Sequence, residues 1–154
     1  MVIVTVLVVV LAALCLSGLA MWIRLAAANK RVIGAPAGEP DEHFWGGVMC
    51  RHVITSGLVR LDFFDWGVRL RGTPVSSWIV PTWEAKYDEL AVAGLVALPH
   101  SRIAVWLRLR DASGAIAFLS DSTSQILPVF ERHGVQVDRV VTQIRRVEEI
   151  YPES

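Results

Sequence analysis

One group of side chains with metal-ligand chemistry stands near the start of the polar part of the chain. Asp41, His43, Cys50 and His52 supply a carboxylate, two imidazoles and a thiol within 12 positions. These ligand types suit zinc, but their spacing matches neither a zinc finger nor a catalytic zinc site. Histidines at such a position are more often solvated or hydrogen-bonded structural groups. We therefore predict no metal site and no other cofactor.

The residues that could act as nucleophiles lack the surroundings that such chemistry needs. Cys50 has Arg51 and His52 beside it, and a nearby cation favours the reactive thiolate, but a neighbour in sequence is not a positioned base. No serine lies in a G-x-S-x-G elbow, and no Gly-rich phosphate loop precedes a helix. Six serines of the polar part lie in predicted turns or at a helix cap: Ser56, Ser76, Ser77, Ser120, Ser122 and Ser124. The sequence thus predicts a protein that is not an enzyme.

Two pairs of arginines, each with i, i+2 spacing, are the candidate ligand-binding residues. Residues of this spacing project from one face of a strand. The pairs are Arg69 with Arg71 and Arg108 with Arg110. If their strands share a sheet, four guanidinium groups would form a basic stripe for anionic lipid headgroups, at about 1 kcal/mol per basic group. The alternative is a solvated face on which acidic residues of neighbouring strands, namely Asp62, Glu84 and Glu89, neutralise the arginines.

The net charge of zero hides an asymmetry along the chain. Arg24, Lys30 and Arg31 follow the apolar N-terminal run, and the rest of the chain has 12 basic residues against 15 acidic ones. A surface that binds nucleic acid neutralises phosphates with an excess of basic residues. The mildly acidic remainder therefore argues against a nucleic-acid partner.

The N-terminal run of 22 uncharged residues, 2–23, predicts a transmembrane helix. At about 1.5 Å per residue it would span about 33 Å, enough to cross a hydrocarbon core of about 30 Å. Trp22 would lie at the membrane interface, and the Arg24 side chain could extend to the headgroups from just beyond it.

The competing interpretation of this run is a cleaved signal peptide. Nothing basic precedes the run, and the run is too long for a signal peptide, although the alanines at 26–28 imitate a cleavage site. Positive charge flanks only the C-terminal end of the run, so the positive-inside rule places the N-terminus outside and the following chain in the cytoplasm. We expect a single-pass protein of the cell membrane.

The chain divides into an anchor with its basic flank (1–31), a linker (32–40) and one domain (41–154). The linker contains the stretch GAPAGEP, which has no apolar periodicity. In the domain, alternation of apolar and polar residues predicts a hairpin at 58–72. Further strands are predicted at 78–84, where Pro81 requires an edge or bulge, and at 90–98, 103–110 and 115–119.

Two helices are predicted after the last strand. The first is capped by Asp121 or Ser122 and is stopped by Gly134, with Pro128 inside it. The second starts at Asp138, because apolar residues then recur at three- and four-residue intervals. They are Val140, Val141, Ile144, Val147 and Ile150 or Tyr151.

This order of elements resembles the bacterial pleckstrin-homology-like (PH-like) family. The resemblance covers about residues 53–135 and rests on the hairpin, on Trp78 and Trp83 followed by DEL at 88–90, and on the helix ending FERHGV at 130–135. In particular, the chain is similar to single-pass actinobacterial membrane proteins with such a domain. The resemblance implies a mainly β fold, with two crossed antiparallel sheets as a sandwich or barrel capped by an α-helix, and no catalytic residues.

The expected function is that of a non-catalytic, membrane-anchored interaction module at the cytoplasmic face, binding a protein partner. One alternative is an accessory subunit of a membrane enzyme or transporter, assembled through small residues of the anchor that let helices approach. These are Cys15, Ser17, Gly18 and Ala20. The other alternative is a domain that binds anionic lipid headgroups.

Overall fold

The computed structural model describes residues 12, 15–16, 31–36, 38–50, 53–74, 76–77, 80, 82–98, 102–111 and 115–143. Its strands are β1 Glu42–Cys50, β2 Val53–Phe64, β3 Gly67–Gly72, β4 Trp83–Lys86, β5 Leu90–Leu98, β6 Arg102–Leu109, β7 Ala115–Leu119 and β8 Val137–Gln143. A short 3-10 helix, Tyr87–Glu89, joins β4 to β5, and one α-helix, α1 Thr123–Arg132, lies between β7 and β8.

All eight strands belong to one sheet in the order β4-β3-β2-β1-β7-β6-β5-β8. We call β4-β3-β2-β1 the first half-sheet and β1-β7-β6-β5-β8 the second half-sheet. Strand β1 belongs to both, because it pairs with β2 along one edge, from Glu42 to Cys50 with a bulge after Gly46, while Gly47 to Met49 pair with β7 along the other edge. Neighbouring strands are antiparallel except β5 and β8, which are parallel.

The two half-sheets enclose one hydrophobic core. Alternate residues of β2 and β3 point into it, as the predicted hairpin requires, and residues of β5, β6 and β7 meet them from the second half-sheet. The largest fully buried members are Phe63, Phe118, Phe130, Leu61, Leu70, Leu90, Leu107 and Ile126. The predicted hairpin and the strands at 90–98, 103–110 and 115–119 are thereby confirmed.

Helix α1 closes the core, and its apolar residues explain why. Ile126, Leu127, Val129 and Phe130 are buried in the core, and the Phe130 ring meets the Phe63 ring edge to face at 4.9 Å between centroids. Gly134, with φ of 75°, ends the helix as predicted. Two packed layers closed by one helix are the arrangement that the PH-like resemblance implies.

The predicted second helix is wrong over the part that the structure describes. Residues 137–143 form β8, which pairs in parallel with β5. The run VDRVV contains three β-branched valines, and such side chains fit a sheet better than a helix. Residues 144–154, which contain the rest of the predicted apolar stripe, lie outside the described part.

Two strand boundaries also differ from prediction. Strand β1 was not predicted, and the strand expected at 78–84 overlaps β4 only at Trp83 and Glu84. Among the described residues before β4, turn hydrogen bonds form instead: the Ser77 amide donates to the Thr73 carbonyl at 2.7 Å, and the Val80 amide donates to the Ser76 carbonyl at 2.8 Å.

Residues 31–33 lie along the outer edge of β4. The Arg31 amide donates to the Thr82 carbonyl at 3.2 Å, and the Glu84 amide donates to the Arg31 carbonyl at 2.8 Å. The Arg31 guanidinium also forms ion pairs with Glu89 at 3.1 Å and with Asp111 at 3.8 Å. The chain thus contacts the domain before it enters the stretch GAPAGEP.

Of the predicted anchor, the structure describes only Ala12, Cys15 and Leu16, which are helical. The described residues contain no helix that is long and apolar enough to cross a membrane. The prediction for residues 2–23 therefore lies outside what the structure describes.

Replacing Leu107 by Asp should abolish cooperative unfolding of the domain, because Leu107 is fully buried in the core and its position offers no partner for a charge. The matched control is Arg108→Asp, since Arg108 is the exposed neighbour on the same strand. Thermal melting followed by circular dichroism distinguishes the two. Equal melting temperatures for both variants would contradict the register of β6.

Candidate functional site

The outer face of the first half-sheet carries two rows of polar side chains set by strand register. Asp62 is paired in register with His43 on β1 and with Arg69 on β3, and Arg69 is paired with Glu84 on β4. In the neighbouring row, Arg60 of β2 lies between Trp45 of β1 and Arg71 of β3. Opposite charges alternate across strands in the first row, which is the favourable arrangement for cross-strand pairs. In the second row, Arg60 and Arg71 are like charges that face each other, and both form ion pairs with Asp62.

Asp62 is fully buried beneath two arginines. Its Oδ1 lies 2.6 Å from Nε of Arg60, and its Oδ2 lies 2.9 Å from Nε of Arg71. Burial raises the pKa of the Asp62 carboxyl above its ordinary value, while the Arg60 charge opposes that rise. The carboxylate is thus desolvated, and its arginine partners compensate for the water that it has lost.

Glu84 is the second buried carboxylate, and it joins three segments. Its Oε1 accepts a hydrogen bond from Nε of Arg69 at 2.6 Å, and its Oε2 accepts one from the Ile33 amide at 3.0 Å. The Arg69 guanidinium also lies over the stacked rings of Phe64 and Trp66, at 5.1 and 5.5 Å from their centroids. Glu84 therefore binds the chain before the domain to strands β3 and β4.

The four arginines predicted to form a basic stripe are not brought together. Arg69 and Arg71 lie on β3 and Arg108 on β6, and β2, β1 and β7 separate these strands. Arg110 follows β6, and its amide donates to the Glu89 carbonyl at 2.9 Å. Asp62 and Glu84 neutralise the β3 pair, as the alternative interpretation expected, whereas Arg108 lies over the Trp106 ring at 5.5 Å. Headgroup binding by these residues stays a prediction.

The candidate zinc ligands divide between described and undescribed positions. Asp41 and His43 are described, whereas His52 and the side chain of Cys50 are not. Within the described residues, no group of three or more His, Cys, Asp or Glu side chains could hold a metal ion. The expectation of no metal and no cofactor stays a prediction.

The structure contains an open groove of about 620 Å³ beside Trp45. It is lined by Trp45, Gly46, Gly47, Gly57, Arg102, Ile103, Leu119, Ser120, Asp121 and Thr123. We call it the Trp45 groove. Its walls come from β1, the start of β6 and the segment that joins β7 to α1.

Trp45 forms one wall of the groove, with 52% of its surface exposed. The ring is held in place by its neighbours, because the Arg60 guanidinium lies 5.7 Å from its centroid and the His43 ring meets it edge-on at 6.4 Å. Ile103, which also lines the groove, is 44% exposed, and Leu58, next to Gly57, is 45% exposed. An exposed apolar pair beside a concave surface is typical of an interaction site.

Two glycines shape the groove for different reasons. A Cβ on Gly46 would lie 2.1 Å from the Leu119 carbonyl oxygen, so no larger residue fits between β1 and β7. Gly57 has a φ of 76° in the bulge where β2 changes register against β1, and this conformation favours glycine. The hydroxyl of Ser120 donates a hydrogen bond to the Trp45 carbonyl at 3.0 Å, which connects the segment after β7 with β1 in the groove.

No pattern in the sequence predicted the Trp45 groove. Trp45 and Ile103 are far apart in the chain, and no local pattern connects them. The one available signal was the sequence WGG at 45–47, because two successive glycines inside a strand mark a bulge or a close approach of backbones.

Tyr87 connects the last residue of β2 with the residue that follows α1. Its hydroxyl donates to the Phe64 carbonyl at 2.8 Å, and its ring stacks on His133 at 4.1 Å between centroids. Burial, together with the negative charges of Asp41 and Asp65, raises the pKa of Tyr87 well above its ordinary value.

Replacing Glu84 by Gln should lower the free energy of unfolding by about 3 kcal/mol, because Arg69 then loses its buried anionic partner. Glu131→Gln is the matched control, since Glu131 pairs with Arg139 on the exposed surface at 2.7 Å. Loss of an exposed pair should change stability by less than about 1 kcal/mol. Urea denaturation measures both values. Equal losses would show that burial of the Glu84 pair does not matter.

Tyr87→Phe should lower stability at neutral pH by about 1 kcal/mol through loss of one hydrogen bond. Because the folded-state pKa of Tyr87 is raised, its contribution is complete below the ordinary tyrosine pKa of about 10 and is lost as pH rises beyond it. The stability difference between wild type and variant should therefore shrink from about pH 9 to about pH 11. Denaturation midpoints across this range test it, and a constant difference would contradict it.

Comparisons with known proteins give little beyond the structure itself. No protein-family model matches the sequence, and no curated protein matches it. Among solved structures, one described as the structure of the Spt16D Pob3N heterodimer is similar, with 12% sequence identity and a TM-score of 0.49. The alignment covers 68% of this chain and 56% of that chain.

Proposed function

We propose that the chain is a non-catalytic interaction module that binds an extended segment of a protein partner in the Trp45 groove. The observation that carries the proposal is that two exposed apolar side chains, Trp45 and Ile103, line one open groove. Large aromatic side chains that are fixed before binding lose little conformational entropy when a partner covers them. Trp45 meets this condition through its contacts with Arg60 and His43.

The charges of the groove favour a protein segment over a lipid surface. Arg102 and Asp121 both line it and both are exposed, so the groove offers one cation and one anion rather than a basic field. Neither of them forms an ion pair within the part of the chain that the structure describes. A partner segment with an apolar side chain between an acidic and a basic residue would complement this pattern.

The proposed location is the cytoplasmic face of the cell membrane, with residues 2–23 as the anchor. The apolar length of that run and the basic residues after it support this location. Seven residues separate Ile23 from Arg31, which contacts the edge of β4. An extended chain of this length reaches at most about 25 Å, so the domain would stay close to the headgroups.

A photo-reactive amino acid at position 103 tests the groove in intact cells. We expect a discrete cross-linked product from this position and none from position 140, the matched control, because Val140 is exposed at 73% on β8 outside the groove. Adding Trp45→Ala should reduce the product about 30-fold, the loss expected for an aromatic residue worth about 2 kcal/mol. Equal products at both positions, or no effect of Trp45→Ala, would reject the groove as the site.

Reporter fusions after Ser154 test the location. Alkaline phosphatase, which needs export to become active, should be inactive, and a fluorescent protein that folds in the cytoplasm should fluoresce. The physical reason is the cluster of basic residues after the apolar run, which retains that side in the cytoplasm. High phosphatase activity would place the domain outside and would support the signal-peptide alternative.

A further inference from the structure

The outer face of the second half-sheet carries a second apolar cluster, separate from the main core. Its buried members are 7% exposed or less, namely Met49, Val96, Leu98, Ala104 and Ala117. Trp106, Ala115 and Leu119 pack against them, and the indole Nε1 of Trp106 is itself buried. A face of a sheet that pointed to water would leave such residues exposed.

This cluster lies on the opposite side of the sheet from the core. Successive residues of a strand point to opposite faces, and Val105 and Phe118 belong to the main core while their neighbours Ala104 and Ala117 belong to the second cluster. All four buried residues of α1 belong to the main core. The second cluster, as far as the described residues go, consists of strand residues alone, so a further segment must cover them.

Strand β8 ends next to the second apolar cluster, so the segment after β8 is the candidate to cover these residues. Gln143, the last residue of β8, pairs with Ala97, the neighbour of both Val96 and Leu98 of the cluster. Residues 144–154 therefore begin at the edge of this face. Eleven residues in helical conformation measure about 16 Å, which is enough to cross three further strands at about 4.8 Å spacing.

The sequence of this segment fits an apolar sheet face on one side and water on the other. Its apolar residues recur at three- and four-residue intervals, at Ile144, Val147, Ile150 and Tyr151. Between them stand charged residues of both signs, at Arg145, Arg146, Glu148 and Glu149. The small side chains of Ala104 and Ala117 would let the backbone of a covering segment approach closely.

The segment before Arg31 joins the domain farther from the second apolar cluster than residues 144–154 do. Arg31 forms its ion pairs with Glu89 and Asp111, beyond the last residue of β6. Leu98 of the cluster pairs with Arg102, the first residue of β6. Along a strand these positions are about 25 Å apart. The segment before Arg31 thus enters at the far end from Val96 and Leu98.

We propose that residues 144–154 lie as an amphipathic segment across the outer face of the second half-sheet, with their apolar side chains on Val96, Ala104 and Ala117. The segment is then an intramolecular partner that shields a surface that would otherwise associate with other apolar surfaces. This proposal does not require ligand binding in the Trp45 groove, and the experiments below do not substitute residues that line the groove.

Cross-linking of the full chain in detergent micelles tests which segment covers the face. The starting variant has no cysteines, because it carries Cys15→Ser and Cys50→Ser. Two chains are made from it: one with Ala104→Cys and Val147→Cys, the other with Ala104→Cys and Glu149→Cys. A short bismaleimide is added to each. We expect at least fivefold more intramolecular product at 147, because positions 147 and 149 lie on opposite sides of a helical segment. Equal yields would overturn the proposal. A third variant keeps Cys15, and its efficient cross-linking to Ala104→Cys would assign the cover to the N-terminal run instead.

Removal of the segment provides a second, independent measurement. The thiol of Ala104→Cys, in the same background, should react with a soluble maleimide at least tenfold faster in a chain that ends at Gln143 than in the full chain. Arg108→Cys is the matched control, because Arg108 is already exposed on the same strand and should react at the same rate in both chains. An unchanged rate at 104 would overturn the proposal, and so would an equal acceleration at both positions, which would indicate loss of the fold.

Discussion

The close approach of β1 and β7 at Gly46 is the constraint on which the architecture depends. A Cβ at this position would lie 2.1 Å from the Leu119 carbonyl oxygen, and backbone cannot yield that far. Because the approach is possible, β1 can pair with β2 along one edge and with β7 along the other, and so belong to both half-sheets. Gly46 also lines the groove beside Trp45. One glycine thus lies both at the junction of the two half-sheets and in the groove.

The ion pairs on the outer face of the first half-sheet fix register more than they add stability. Burying Asp62 and Glu84 costs desolvation energy that their arginine partners approximately offset. A slip of β2 by one residue would, however, turn Asp62 into the main core and Leu61 out to the surface. Register errors are therefore far more costly here than they would be with an uncharged outer face. The charges specify which pairing of β2, β3 and β4 is formed.

Local patterns predicted the elements whose faces differ in polarity. The hairpin of β2 and β3 alternates clearly, and so does β6 at Val105, Leu107 and Leu109, which is why these strands were predicted correctly. The segment that forms β1 reads EHFWGGVMC, and its paired glycines interrupt any alternation. In β8, the valines at 140 and 141 with Ile144 imitate helical spacing, whereas the observed strand depends on pairing with β5.

The functional surfaces were harder to predict than the strands, because they depend on contacts between distant residues. Alternation placed Arg69 and Arg71 on one face correctly, but only the strand order shows that three strands separate them from Arg108. The neutralisation of Arg69 by Glu84 was foreseen as an alternative, since the two residues lie on adjacent predicted strands. The bond from Ile33 to the same carboxylate had no local signal, because it crosses 51 positions of sequence.

The positions of the two ends of β6 bear on how the proposed module could work at a membrane. Arg31, close to the proposed anchor, contacts Asp111 beyond the last residue of β6. The Trp45 groove contains Arg102 and Ile103 at the first residues of the same strand. A strand of this length separates the two ends by about 25 Å, so the groove lies away from the point of attachment. A partner in the cytoplasm could then reach Trp45 without competing with the bilayer for space. The bond from Ile33 to Glu84 maintains this orientation, because it ties the attachment to a carboxylate that Arg69 holds in the first half-sheet.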